Sequence, residues 1–256
     1  MSLTGQSGEG KIVLFDDFCG PELPILGTVA INHASGGYFT IGDFKITGDV
    51  VNNDSGVVQL EKESGYIRII PSAQTDADGI AIGTDLCFSP LLNGTLVLET
   101  RVEMAELTTK NVFIGFMTAN ADLVIEPIRS DATTITKVVP CVGFQFDSEL
   151  TVCETAATAV WHMPYILATD STQTSTTVAS SQVAVVTESD VLRIEVDPNG
   201  AARWYINGVL EQTVGAGLAA TPATKVAGVV SAFGKSAAQG IDIDYLLITA
   251  NRDWTR

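Results

Sequence analysis

The chain has 256 residues, 46% of them hydrophobic and 17% charged, which is enough for one large core and too apolar for a disordered chain. Thirty acidic residues stand against 14 basic ones, for a formal charge of −16. That sign excludes a protein built to wrap nucleic acid, whose affinity comes from Lys and Arg on phosphates, and it disfavours anionic membrane surfaces.

The opening stretch "MSLTGQSGEG" carries Gly5, Gly8 and Gly10 and has Leu3 as its sizeable apolar residue. It has neither the basic region nor the long apolar run of a secretory signal, and no stretch of 18 apolar residues follows anywhere in the chain. We read residues 1–10 as an arm that orders only against a neighbouring chain, with Leu3 and Thr4 as its contact residues. Residues 11–256 then read as a single domain.

Nearly every later segment reads as strand or turn. "KIVLFDDF" opens the fold, and "GYFTIGDFKITG" gives two short strands around Gly42-Asp43. In "TDADG", Asp76 and Asp78 supply part of a calcium-loop ligand set, although no distal glutamate follows and an Asp-Gly turn is the commoner explanation. "VVQLEKESGYIRIIP" is a hairpin turning at Glu63-Ser64-Gly65. "GTLVLETRVEM" alternates Leu96, Leu98, Val102 and Met104 with Glu99, Arg101 and Glu103, the pattern of a strand with one wet face. "NVFIGFM" is apolar on both faces and therefore central.

"ANADLVIEP", around Asp122 to Ile128, competes for helix but is short. "CVGFQFDSELTVC" reads as a further hairpin, with Cys141 and Cys153 placed nearly symmetrically about it. A cross-strand disulfide is geometrically open there, while free half-buried thiols are the expectation for a chain made in a reducing cytoplasm. The four cysteines show no metal-type spacing. Trp161 and Tyr165 in "AVWHMPY", with Trp254 near the end, are the aromatics available to stack on a sugar. The segment 168–182, rich in Ser and Thr, reads as an exposed loop or a polar sheet edge.

The most strongly marked stretch is "LRIEVDPNGAARWYINGVLEQ", residues 192 to 212. Leu192, Ile194 and Val196 alternate with Arg193, Glu195 and Asp197. A three-residue loop over Pro198, Asn199 and Gly200 then sets Leu192 opposite Ile206, Ile194 opposite Trp204 and Val196 opposite Ala202. This register buries Trp204. Asn207-Gly208 turns the chain again. In the last strand, "GIDIDYLLIT", Ile241, Ile243, Tyr245 and Leu247 are expected on one face. About thirteen strands, with turn signals about every 8 to 12 residues, indicate an all-β fold, an antiparallel β-sandwich or jelly roll.

The segments "FDDF", "LVLETRVEM", "VFIGFM", "LRIEVDPNGAARWYINGVLEQ" and "IDIDYLLITANRDW", in that order, resemble the concanavalin A-like lectin/glucanase jelly roll. They look most like the version found in structural proteins of tailed phages, such as capsid decoration proteins and fibres. Glycosidases on this sandwich resemble one another in a Glu-x-Asp-x-x-Glu run, because one carboxyl donates a proton while another attacks or activates water about 5 to 10 Å away. Here Glu99 with Glu103, Glu195 with Asp197, and Asp242 with Asp244 all depart from that spacing and alternate with apolar residues. His33 and His162 come with no Gly-x-Ser-x-Gly elbow, so a Ser-His-Asp triad has no support.

The expectation is therefore a non-enzymatic protein without a cofactor, made in the host cytoplasm and carried in the virion. It would decorate or cement the capsid as a dimer or trimer, with the major capsid protein as its partner and no direct nucleic-acid or membrane contact. The alternative is a tail or receptor-binding fibre that binds a glycan through Trp161 and Tyr165, with a glycosidase behind it.

Overall fold

A computed structural model of the chain describes residues 10–20, 39–48, 56–71, 79–108, 110–119, 126–130, 135–148, 159–168, 177–234 and 240–252. In chain order its elements are β1 (Lys11–Asp16), β2 (Phe39–Ile41), β3 (Phe44–Gly48), β4 (Gly56–Gln59), β5 (Ile67–Ile70), β6 (Gly79–Gly83) and α1 (Pro90–Asn93). Then come β7 (Leu96–Glu103), β8 (Lys110–Met117), β9 (Ile128–Ser130), β10 (Ile135–Lys137), β11 (Cys141–Asp147) and β12 (Val160–Ile166). The last are β13 (Thr177–Val183), β14 (Ser189–Val196), β15 (Ala202–Ile206), β16 (Val209–Val214), β17 (Ala227–Gly234) and β18 (Ile241–Asn251). Residues 1–9 of the expected arm, including Leu3 and Thr4, lie outside this description, as do Asp76, Asp78, Cys153 and Trp254.

Two antiparallel sheets form the sandwich. The first runs β16–β15–β14–β7–β18–β5–β4, and β18 is long enough to take β5 along Ile241–Ile243 and β1 along Leu246–Asn251. The second runs β13–β12–β11–β8–β17–β6–β3–β2, and β9 with β10 makes a separate two-stranded ribbon. The chain has the concanavalin A-like sandwich that its segment order resembles.

The hairpin register follows from turn chemistry. Leu192 pairs with Ile206, Ile194 with Trp204 and Val196 with Ala202, as alternation and a three-residue loop require. Gly200 sits at φ +79, where a side chain is disfavoured, and Asn207 and Gly208 have the two positive φ values, +52 and +79, that a tight two-residue turn needs. Trp204 is 0% exposed, and its indole N–H donates to the Gly143 carbonyl of β11 at 2.6 Å, tying the first sheet to the second. Leu96, Leu98, Ile194 and Ile248 of the first sheet share this core with Val112, Ile114, Phe116 and Phe144 of the second.

β8 is buried on both faces, as expected of a central strand. Its Phe113 and Met117, with Ile128, Cys141, Ile166 and Phe233, form a second apolar cluster on the far side of the sheet. Segment 177–183 is an edge strand, in line with its polar composition.

Several expectations are corrected. The second half of the hairpin expected in 141–153 lies outside the described residues; β11 pairs antiparallel with β8 on one side and with β12, the next described strand, on the other. No helix spans the part of Asp122 to Ile128 that is described, since Ile128 begins β9. The short helix falls instead at Pro90–Asn93, where proline opens the first turn and the Ser89 N–H donates to Asn93 Oδ1 at 2.8 Å. Eighteen strands, not about thirteen, are found among the described residues, because three-residue pairings such as β2–β3 and β9–β10 carry little periodicity.

In β18 the register against β7 shifts between Ile243 and Leu246. This bulge breaks the strict alternation. Ile241, Ile243, Leu246 and Ile248 therefore face the core, while Asp244, Tyr245 and Leu247 face outward.

Candidate functional site

The outward face of the first sheet is a ladder of charges laid down by period-2 alternation on neighbouring strands. Glu99 of β7 lies opposite Arg193 of β14, which lies opposite Tyr205 of β15. One row along, Val97, Glu195 and Arg203 line up in the same way. Arg193 donates to Glu195 at 2.6 and 2.9 Å and reaches Glu99 at 3.4 Å. Arg203 donates to Glu195 at 3.0 Å and grips Asp197 through both terminal nitrogens at 2.6 and 2.9 Å. That grip holds the Asp197 carboxyl below its ordinary range.

The outward-turned Tyr245 donates to Glu99 at 2.8 Å, and burial, aided by this bond, raises its phenol above the ordinary value. Between these strands lies an open depression of about 370 Å³ lined by Glu99, Val191, Arg193, Glu195, Tyr205 and Gly208.

The ladder continues along the sheet. Arg101 meets Asp244 at 2.9 Å, Arg68 holds Asp242 at 2.6 and 2.9 Å, and Lys62 pairs with Glu103 while lying 4.3 Å above the Tyr66 ring. Each carboxylate that the sequence offers as half of a hydrolytic pair (Glu99, Glu103, Glu195, Asp197, Asp242 and Asp244) thus has a cationic partner. Pairs of this kind on a half-exposed face contribute about 0.2–1 kcal/mol each. They fix the geometry of the face more than they stabilise the fold.

The outward face of the second sheet carries a buried polar set. The Gln145 amide donates to Asn111, and Asn111 donates to Glu126. His162 lies opposite Gln145 in register, and Asp147 follows two residues along β11. All five side chains are at most 4% exposed, so the set is closed to a large ligand. Among the described residues no group of three or more His, Cys, Asp or Glu is placed to hold a metal ion. At one end of the sandwich, Phe116, Val142, Ile166, Ala219 and Val226 line an apolar cleft of about 50 Å³, which is too small for a sugar ring.

Trp161 is not an exposed platform. It is 1% exposed and packs edge-on against Phe144 and Phe146, with its N–H donating to Asp190 at 2.9 Å. Tyr165 is half-buried against the core, 6.2 Å from the Trp204 ring. The two do not combine into an open aromatic surface. Cys141 is a free, buried thiol raised well above its ordinary value by desolvation. Asp76 and Asp78 are not among the described residues. Sequence reasoning passed over Tyr205 and Arg193, although the register that buries Trp204 also sets those two side by side on the opposite face.

No protein-family model matches the chain, and no curated protein matches it. Solved structures do. A protein of unknown function from Shewanella oneidensis MR-1 superposes with a TM-score of 0.62 at 11% identity, covering 100% of this chain and 92% of that one. The Emp47p carbohydrate recognition domain gives 0.53 at 10% identity, over 94% and 95% of the two chains. The VIP36 exoplasmic/lumenal domain, in a Ca2+/Man3GlcNAc-bound form, gives 0.52 at 9% identity, over 81% and 83%. At these identities the likeness defines the fold alone, a concanavalin A-like β-sandwich. No helix among the described residues is long and apolar enough to cross a membrane, which says nothing about β-barrels.

Proposed function

We propose that the protein is a non-catalytic glycan-recognition module that binds sugar in the depression on the outer face of the first sheet. The observation that carries this reading is the composition of that depression. The half-exposed Tyr205 supplies a ring face, and Glu99, Glu195 and Arg193 are held in fixed positions beside it in a volume of about 370 Å³. An aromatic wall with a few immobilised polar groups is the chemistry of a small-ligand site. The similar sandwiches of Emp47p, a carbohydrate recognition domain, and VIP36, seen with Man3GlcNAc, add support from the fold. The pairing of all six carboxylates with Arg or Lys supports the non-catalytic part of this reading. Glycan-array binding by the whole protein, lost on Tyr205→Ala, is the expected result. Binding that survives Tyr205→Ala contradicts this site.

A second reading concerns where the module is carried. Val183, Val185 and Val186 at the end of β13 and Val209 and Leu210 of β16 are 44–60% exposed at one corner of the sandwich, where the edges of the two sheets meet. Such a patch favours a surface covered in an assembly. On this reading the chain is a virion component that decorates the shell as a homo-oligomer on the major capsid protein, or forms part of a tail fibre. Mass spectrometry of purified particles separates the cases. Hundreds of copies mean decoration, a few mean a tail component, and absence rules out both.

A further inference from the structure

We infer that the depression selects a sugar carrying a free amine, a glucosamine-type unit in its ammonium form, over N-acetylated, neutral and acidic sugars. The inference rests on the glycan-binding reading and specifies its ligand. It comes from the hydrogen-bonding capacity left over once the ladder is formed. The three side-chain nitrogens of Arg193 all donate to Glu195 or Glu99, and the three of Arg203 all donate to Glu195 or Asp197. The Tyr245 hydroxyl donates to Glu99. Three of the five N–H groups of Arg193 are thus turned onto protein carboxylates, and Arg101, opposite Val191, is held on Asp244; about three acceptor positions stay open on Glu99 and Glu195.

Glu99 has the most to offer. It accepts from Arg193 and Tyr245, whereas a carboxylate has about four acceptor positions. Glu195 already accepts two bonds from Arg193 and one from Arg203.

Charge points the same way. Two carboxylates (Glu99 and Glu195) and one guanidinium group (Arg193) line the depression, leaving one net negative charge in a protein of formal charge −16. An ammonium donates three hydrogen bonds and carries the complementary charge, so it fits against Glu99 while the sugar ring covers Tyr205. N-acetylation replaces that charge with a carbonyl acceptor. A uronate or sialate brings a second carboxylate to a face that already has an excess of them, with like-charge repulsion added.

Titration calorimetry of the whole protein with four oligosaccharides of equal length tests the inference: a glucosamine tetramer, its N-acetylated form, a neutral glucose tetramer and a uronate tetramer. The glucosamine tetramer should bind about ten-fold tighter than the others, the scale of one charge-assisted contact. Its advantage should shrink as salt rises from about 50 to 500 mM. Glu99→Gln should remove the preference while keeping the melting temperature, and Tyr205→Ala should weaken every sugar that binds. Tighter binding of the N-acetylated or neutral tetramer, still dependent on Tyr205, overturns the ligand class and leaves glycan binding standing. A preference unchanged in Glu99→Gln overturns the placement of the amine. No binding to any tetramer overturns both this inference and the reading beneath it.

Discussion

Two residues show how far side-chain chemistry can be read in advance. Trp204 is placed by alternation alone, since its neighbours Arg203 and Tyr205 are wet and its partner Ile194 is apolar. Trp204→Ala should cost about 3–5 kcal/mol in urea unfolding, as a cavity plus lost burial. Trp204→Phe should cost less and leave the Gly143 carbonyl without its donor. Lys110, by contrast, is unreadable from sequence, because nothing marks an ammonium that is 1% exposed and donates to the Gly240 carbonyl. Burial lowers it to about 8 from the ordinary 10.5, with Glu106 and Asp242 opposing that fall and Arg68 adding to it.

The folded state thus binds this proton less tightly than the unfolded chain, so the cost of charging Lys110 is present below pH 8 and is relieved as pH rises towards 10.5. The raised Cys141 thiol acts oppositely, stabilising below its ordinary value of 9.0 and losing that contribution above it. Comparison with Lys110→Met isolates the lysine. Between about pH 7 and 9 wild type should gain stability relative to the variant, by at most a few kcal/mol. Parallel pH profiles would show that Lys110 carries no such cost.

At the scale of elements, turn chemistry was the most legible feature and departures from period 2 the least. Gly200 and Gly208 both sit at φ +79, and the dipeptides around them announce it. Their surroundings differ. A Cβ at Gly208 meets nothing within 4 Å, whereas one at Gly200 falls 2.2 Å from the Ala220 carbonyl. Gly208→Ala should therefore cost about 1 kcal/mol, the backbone contribution alone, and Gly200→Ala distinctly more. Equal losses in chemical denaturation would mean that the loop following β16 yields freely.

The bulge in β18 was hidden because "IDIDYLLIT" alternates without a flaw until the paired leucines, and only pairing with β7 shows where the phase changes. Trp161 was misplaced for a related reason. β12 is buried on nearly every residue, so exposure there had no period to reveal it. In the ladder, Asp242 is 4% exposed and leans on Arg68. Arg68→Met should cost about 2 kcal/mol, since it strips a buried carboxylate of two charge-assisted bonds.

For the whole molecule, segment order and the meander from 192 to 212 were enough to reach a concanavalin A-like sandwich, because such folds are specified by where strands turn more than by any one residue. The proposed site was not legible in the same way. Its side chains come from β7, β14 and β15, and each strand taken singly looks like an ordinary solvated face. Only the register brings Glu99, Arg193 and Tyr205 into one row.

The most direct test maps backbone amide shifts of the labelled protein while a glucosamine tetramer is titrated in. Perturbations should gather at residues 97–101, 191–195 and 203–208 on the outer face of the first sheet. Shifts centred on Asn111, Gln145 and His162 of the second sheet, or no saturable shift at all, would contradict the account.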